Sequence, residues 1–254
     1  HSLEIPFVIT NVESSELIKY AANGFLAVKI TFINEIAQIC EKVGANVQDV
    51  AIGMGLDSRI GPKFLQAGPG FGGSCFPKDT SAMANIARQQ GYDFQIMEAV
   101  LRVNDAVKLR MIDKIITALN GEVSGKTVAM LGLAFKPETD DMRDSPTIPI
   151  IKGLQERGAT IRAYDPQAIQ NAKSFFHDIT YCEDAYTTAE GADALVLATE
   201  WNEFRALNFE RIRKALREPV LIDLRNVYDP VRMATLGFRY TSVGRVDDRR
   251  KKPR

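Results

Sequence analysis

The hydrophobic period of the chain changes at Ser124-Gly125-Lys126, and this change restricts the fold more than any other feature of the sequence. Before it, Leu17, Ala21, Phe25, Val28, Phe32, Ile36, Ile39 and Val43 recur at steps of three and four, the spacing of a helix with one apolar stripe. That spacing predicts a long helix over 16–43, buried along the stripe and stopped by Gly44. Asn46 is placed to cap a short helix over 47–53, and Gly53, Gly55, Gly61 and Pro62 make the next stretch irregular. A helix is expected to resume near Asp79 or Thr80 and stop at Gly91, and another to cover 94–120 with Gly121 as its stop. After the change, apolar residues come in short runs at 127–131, 160–164, 194–198 and 220–223, with helical patterns between them. Ser145-Pro146 reads as an N-cap followed by proline at the first helical position. Strands alternating with helices predict a doubly wound parallel sheet, so the chain is α/β, with an all-helical part ahead of the sheet.

With 254 residues, 45% of them hydrophobic, two cores of moderate size are expected. Lys plus Arg and Asp plus Glu number 32 each, which leaves no overall field to attract nucleic acid. Only the tail Arg249-Arg250-Lys251-Lys252-Pro253-Arg254 speaks for such a partner, and 247–254 is expected to be disordered. No stretch reaches the roughly 20 apolar residues of a membrane span, and no secretory leader is recognised, so the expected location is the cytoplasm. Cys40, Cys75 and Cys182 are too few and too scattered for a disulfide framework or a zinc site, and no metal is expected. With His1 and His177 as the only histidines, catalysis would fall to Cys, Lys, Asp, Glu or Arg.

The segment with most chemistry is Gly68-Pro69-Gly70-Phe71-Gly72-Gly73-Ser74-Cys75-Phe76-Pro77-Lys78-Asp79. Its Gly68, Gly70 and Gly73 satisfy G-x-G-x-x-G, the pattern of a dinucleotide turn. The pattern works only between a strand and a helix, and residues 61–67 make no convincing strand, while Pro69 and Pro77 bracket the loop. The alternative is a backbone that passes close to a ligand and presents Cys75 at the mouth of the next helix. Cys75 is then either a structural cysteine in a turn or a nucleophile whose thiolate is favoured by the helix terminus and a lysine; Gly72-Gly73 and Lys78-Asp79 favour the nucleophile. Cys40, on the apolar stripe, and Cys182, in a strand-like segment, read as core residues. Lys19 and Asn23 stand four apart in the long helix and share a face.

Several motifs in order carry a resemblance to the UDP-glucose 6-dehydrogenase family, within the wider nucleotide-sugar 6-dehydrogenases. They are Lys19-Tyr20-Ala21-Ala22-Asn23, Asp57-Ser58-Arg59-Ile60-Gly61, the loop ending in Cys75-Phe76-Pro77-Lys78-Asp79, the run from Phe135-Lys136-Pro137 to Asp144-Ser145-Pro146, and Asp223-Leu224-Arg225. The resemblance extends over about 11–245. It implies an NAD-dependent oxidation of UDP-glucose to UDP-glucuronate, in two hydride transfers, through a thiohemiacetal and a thioester on Cys75. It implies that Lys19 stabilises the developing oxyanion, that Asn23 holds substrate or water, and that Asp79 acts with Lys19 on proton transfer or water positioning. For the sugar nucleotide it implies Phe64, Leu65, Gln66, Ala67 and Gly68 along the ligand, Gly72 nearer the sugar, and Lys136 and Arg225 toward phosphates or sugar. Arg59 would cross from a neighbouring subunit of a homodimer built on the long helix, and Lys78 and Arg143 would face the cofactor.

The family's fold implies a central helical dimerisation domain over 11–121 and a Rossmann-like UDP-sugar-binding domain over 122–246. Residues 1–10 would end an NAD-binding domain, whose main part is expected to be missing from this chain, so that the chain alone would not reduce NAD. Two other readings stay open: a related enzyme acting on UDP-N-acetylmannosamine or GDP-mannose, and a non-catalytic module that only holds a nucleotide sugar.

Overall fold

A computed structural model describes residues 7–246 of the chain. The first helix, α1, spans Val12–Val43. Asn11 caps it by accepting a bond from the Ser14 N–H at 3.0 Å, and Gly44 ends it in the left-handed conformation at φ 85° with its N–H on the Cys40 carbonyl. The helix therefore starts ahead of residue 16, because its cap lies upstream of the apolar pattern. Helices α2 (Val47–Gly55), α3 (Phe76–Gln89) and α4 (Gln95–Ala118) complete the helical part. The cap at Asn46 is made as expected, to the Gln48 N–H at 3.1 Å.

Two expectations are corrected here. Most of the apolar stripe of α1 does not face the core: Phe25 is 65% exposed and Phe32 50%, and Leu17, Ile39 and Val43 also point outward, while Val28 and Ile36 are half-buried against the core. The buried face is Gly24, Ala27, Thr31, Ile33, Asn34, Ala37 and Cys40, and apart from Ile33 its side chains are small or short, which lets α3 and α4 lie close against the helix. Apolar spacing marks what avoids water, whereas close helix packing selects for size, and here the two fall on different faces. The second correction is at α3, which begins immediately after Cys75 rather than near Asp79 or Thr80. Pro77 was read as a loop residue, yet it sits in the first turn, where its missing N–H removes no helical bond.

Strands β1 (Thr127–Leu131) and β2 (Thr160–Tyr164) enclose helix α5 (Thr147–Gln155). Next come α6 (Ile169–Ala172), β3 (Thr180–Tyr181), α7 (Ala185–Ala189) and β4 (Ala194–Leu197). The described chain closes with α8 (Asn202–Arg205), α9 (Phe209–Ala215), β5 (Val220–Asp223), α10 (Pro230–Thr235) and β6 (Arg239–Ser242). The sheet has the order β3-β2-β1-β4-β5-β6, and every pairing is parallel. The four central strands stand where the apolar runs put them. The edge strands escaped the sequence reading because β3 has only two residues and Arg239-Tyr240-Thr241-Ser242 is polar. The tail at 247–254, expected to be disordered, lies outside the described residues.

Alternation along the strands divides the core into two layers. Val128, Met130, Ile161, Val196 and Ile222 pack with α5 and with Ile33, Ala37, Met111 and Ile115 of α1 and α4, so the helical part rests on one face of the sheet. Ala129, Leu131, Leu195, Leu197 and Leu221 pack on the other face against Trp201, Phe204, Phe209 and Ile212. The chain order reverses between β1 and β4, and in such sheets the crevice outside the carboxyl ends of those strands is where ligands bind.

One carboxylate shapes that crevice. Asp165, at the end of β2, is buried and accepts the Leu133 and Ala134 N–H groups at 2.7 and 3.1 Å and Trp201 Nε1–H at 3.1 Å on one oxygen. Its other oxygen accepts the Gln167 and Ala168 N–H groups at 2.9 and 2.8 Å. Ser145, read as the N-cap of α5, instead donates to the Leu133 carbonyl at 2.7 Å, and the capping position falls to Pro146. The loop after β1 is thus held from several sides. Asp165→Ala leaves these buried donors unpaired and is expected to destabilise the chain by about 3 kcal/mol. Urea unfolding at pH 7 measures this, and a loss below about 1 kcal/mol would contradict the role given to this carboxylate.

Candidate active site

The glycine-rich segment runs buried between the helical part and the carboxyl edge of the sheet. The Gly68 N–H donates to Asn34 Oδ1 at 2.8 Å. The Phe71 N–H donates to Asn104 Oδ1 at 2.9 Å while Asn104 Nδ2 donates back to the Phe71 carbonyl at 3.1 Å. The Gly73 N–H donates to the Arg143 carbonyl at 2.8 Å. A Cβ at residue 72 would lie 2.2 Å from the Asp144 carbonyl oxygen, and one at residue 73, where φ is 84°, would lie 2.6 Å from the Phe135 ring. No side chain fits at either position, so the glycines serve close approach rather than a pyrophosphate turn.

This path delivers Cys75 to the surface as the residue just before α3, with its carbonyl accepting the Asp79 N–H at 2.8 Å. Asp79 is completely buried. Its Oδ2 accepts Asn23 Nδ2–H at 2.6 Å and lies 3.7 Å from Lys19 Nζ, and its Oδ1 lies 3.4 Å from Lys78 Nζ. Burial pushes this carboxyl up, but the Asn23 amide and the Lys19 and Lys78 ammonium groups outweigh it and hold Asp79 below the usual carboxylate range. The structure therefore brings Lys19, Asn23, Lys78, Cys75 and Asp79 together at the start of α3. Arg143 stands on the neighbouring loop, bound to Asp141 at 2.7 Å, and its guanidinium is raised by Asp141 first and by the nearby Cys75 more weakly.

A second group of expected residues lines a cavity of about 400 Å³: Phe64, Gln66, Gly68, Gly72, Lys136 and Arg225. Lys136 Nζ lies over the Phe135 ring at 5.5 Å. Arg225 donates through Nε to the Ala198 carbonyl at 2.8 Å and through Nη2 to the Phe135 carbonyl at 3.0 Å, so part of its fork ties the ends of β4 and β1 together. Leu65 and Ala67 do not join this group: both are buried and turn toward an adjoining cavity of about 330 Å³ that shares Gln66 and Arg225. Arg59 is not brought to either group; its exposed side chain pairs with Asp57 at 2.6 Å. Sequence reasoning missed Asn34, Asn104, Phe135 and Glu200, the last of which sits in the larger cavity 3.0 Å from Arg225 Nε. The buried asparagines, on the packed face of α1 and within α4, were the available signal, since a buried amide requires partners.

The model of the central domain of the UDP-glucose/GDP-mannose dehydrogenase family matches residues 13–106, and that of the same family's UDP binding domain matches residues 129–230. The chain belongs to this family. Among its relatives is a UDP-glucose 6-dehydrogenase of Rhizobium meliloti (strain 1021), 54% identical over 95% of the chain and 55% of the relative. Another, of Bacillus subtilis (strain 168), is 49% identical over 94% of the chain and 52% of the relative. The structure of a UDP-glucose dehydrogenase from Pyrobaculum islandicum superposes with a TM-score of 0.85 at 35% identity, covering 96% of this chain and 54% of that one. The chain spans about half the length of the curated relatives it matches. Cys75 and Asp79 fall in the central-domain match, and Lys136, Glu200 and Arg225 in the UDP-binding match.

Two measurements follow from the site's geometry. Cys75 is exposed whereas Cys40 and Cys182 are 2% and 8% exposed, so pulsed alkylation with mass spectrometry should label Cys75 at least about 100-fold faster, because the buried thiols react only through opening. Equal labelling would contradict the burial of the other two. For Asp79, whose folded-state carboxyl is held low, ionisation stabilises the chain at neutral pH, and that contribution disappears as pH falls through the folded value. Asp79→Asn should therefore unfold at lower urea than wild type at pH 7, the gap staying constant down to about pH 4 and closing below it. A gap that widened on acidification would reverse the sign assigned to Asp79.

Proposed function

We propose that this chain carries the nucleophilic thiol and the sugar-nucleotide site of an NAD-dependent UDP-glucose 6-dehydrogenase, which oxidises UDP-glucose to UDP-glucuronate. The observation that carries the reading is the pairing of two arrangements along one loop. Exposed Cys75 stands over buried Asp79, and a cavity with the cations Lys136 and Arg225 lies a few residues upstream. Cations are suited to a diphosphate, Arg through a planar fork and Lys as a point charge. Phe64 and Phe135 offer apolar walls to the same cavity.

In this reading, Cys75 captures the sugar C6 aldehyde. The thiolate sulfur bonds to the carbonyl carbon, the carbonyl electron pair moves to oxygen, and Lys19 supplies charge and a proton to that oxygen. Asn23 and Asp79 hold water or substrate beside it. Because Asp79 is kept ionised, it serves better as a fixed acceptor that orients water than as a base titrating near neutral pH. A nicotinamide dinucleotide accepts the hydrides when bound, but the described residues do not offer it a cradle. The first N–H groups past β1, which would face a pyrophosphate in a dinucleotide turn, are already taken by Asp165, and fifteen residues separate β1 from α5 rather than a tight turn. Lys78 and Arg143 remain as cations on the cofactor side. The outward apolar residues of α1 support a homodimer through that helix, with Arg59 reaching a second copy, and a free nucleophilic thiol suits the cytoplasm.

Calorimetric titration with UDP-glucose, with GDP-mannose as control, tests the substrate. Saturable binding of UDP-glucose alone is expected, unchanged in Cys75→Ser and weakened at least about tenfold in Lys136→Ala. Preferential binding of GDP-mannose would overturn the uridine assignment, and equal affinity of Lys136→Ala would remove this lysine from the diphosphate.

A further inference from the structure

The loop that joins the two halves of the proposed site is held by two buried asparagines, and they hold different parts of it. Asn34, on α1, grips only the Gly68 N–H, at the end that lines the cavity. Asn104, on α4, pairs with both main-chain groups of Phe71 as a neighbouring strand would, accepting its N–H and donating to its carbonyl. It is 5% exposed, and this orientation of the amide satisfies both partners at once. From Phe71 the chain enters Gly72 and Gly73, where contact with the Asp144 carbonyl and the Phe135 ring leaves no slack. Two residues further stands Cys75.

We propose that Asn104 is a positioning residue for Cys75, and that Asn34 has the separate task of positioning the sugar-nucleotide half of the same loop. The proposal rests on the function assigned above, because it presumes a thiol that must meet a bound aldehyde. Its physical content is register. Without the Asn104 amide, the Phe71 N–H and carbonyl lose their partners in a buried site and turn elsewhere, which rotates the peptide planes on either side. Gly70, whose φ is 105° and whose Cβ position lies 2.8 Å from Asn104 Oδ1, offers no side chain to resist that rotation. The displacement then passes along a segment with no freedom at Gly72 and Gly73 and reaches the thiol. Asn34 is separated from that path by Pro69 and Gly70, so its loss disturbs Gly68 and the cavity wall first.

The test compares Asn104→Ser and Asn34→Ser in the chain as it stands. One readout is UDP-glucose affinity by calorimetry. The second is capture of the 6-aldehyde of UDP-glucose by Cys75, read at saturating aldehyde as protection of that thiol from iodoacetamide. In Asn104→Ser, affinity should stay within about threefold while capture falls about 100-fold, the loss expected of a reacting atom displaced by roughly 1 Å. In Asn34→Ser, affinity should fall at least about tenfold while capture at saturation is kept. A general loss of stability would move both readouts together in both variants, and that result, or unchanged capture in Asn104→Ser, would overturn the proposal. If wild type neither binds UDP-glucose nor captures its aldehyde, the substrate assignment fails, and amide hydrogen exchange still decides the clamps. Exchange should rise at least about tenfold at residues 71–73 in Asn104→Ser but at 66–69 in Asn34→Ser. Equal increases in both regions would refute separate tasks.

Discussion

Everything in the site depends on how closely one glycine pair lies against the sheet domain. Gly72 meets the Asp144 carbonyl and Gly73 meets the Phe135 ring and the Arg143 carbonyl, so the loop from the helical part is seated on the segment that follows β1. That segment is in turn fixed by Asp165, Ser145 and Thr199, the last donating to the Ala134 carbonyl at 2.6 Å. The thiol at the start of α3 and the cations at the ends of β1 and β5 are therefore parts of one rigid seam. A methyl group at either glycine would open it, because the opposing atoms are backbone or a packed ring rather than the end of a flexible side chain.

The seam also explains why small and polar residues occupy the inner face of α1. Lys19 and Asn23 can reach Asp79 only if α1 and α3 lie close together, and Gly24 and Ala27 permit that approach. Asn34 further along must be buried to reach the Gly68 N–H. A helix that carries site residues on its packed face has little room there for large apolar side chains, and Ile33 is the large one that α1 buries completely. Phe25, Phe32, Ile39 and Val43 are displaced outward, where they stand exposed.

This conflict marks where the sequence was legible and where it was not. The strands at 127–131, 194–197 and 220–223 could be read because a strand buried on both faces is a plain apolar run. The orientation of α1 could not, since apolar period assigns a buried face only when the core is the greatest apolar contact a helix makes. The start of α3 was missed because Pro77 reads as a breaker until its place in the first turn is known. At the candidate site, Cys75, Lys19, Asn23 and Asp79 were legible through spacing and resemblance, and Lys136 and Arg225 through resemblance alone. Leu65 and Ala67 were carried along with a contiguous segment, although both are buried and line the adjoining cavity. Glu200 was invisible for a different reason: it acts on a group far away in sequence, and nothing local distinguishes it from an ordinary polar residue.

The charges of the site are arranged so that its two ends need not compete. At the thiol end, Asp79 stands against Lys19 and Lys78, so an ionised carboxylate is matched before any ligand arrives. At the cavity end, Glu200 partly balances Arg225, while Arg225 also gives donors to the Ala198 and Phe135 carbonyls. An anion entering the cavity thus meets Lys136, whose Nζ rests over an aromatic ring, and only part of the Arg225 fork. Affinity for a diphosphate would come from the lysine and the unengaged guanidinium edge, while the engaged edge keeps the strand ends in place. This division would let the sheet domain hold a ligand without loosening the seam between the loop and the segment after β1.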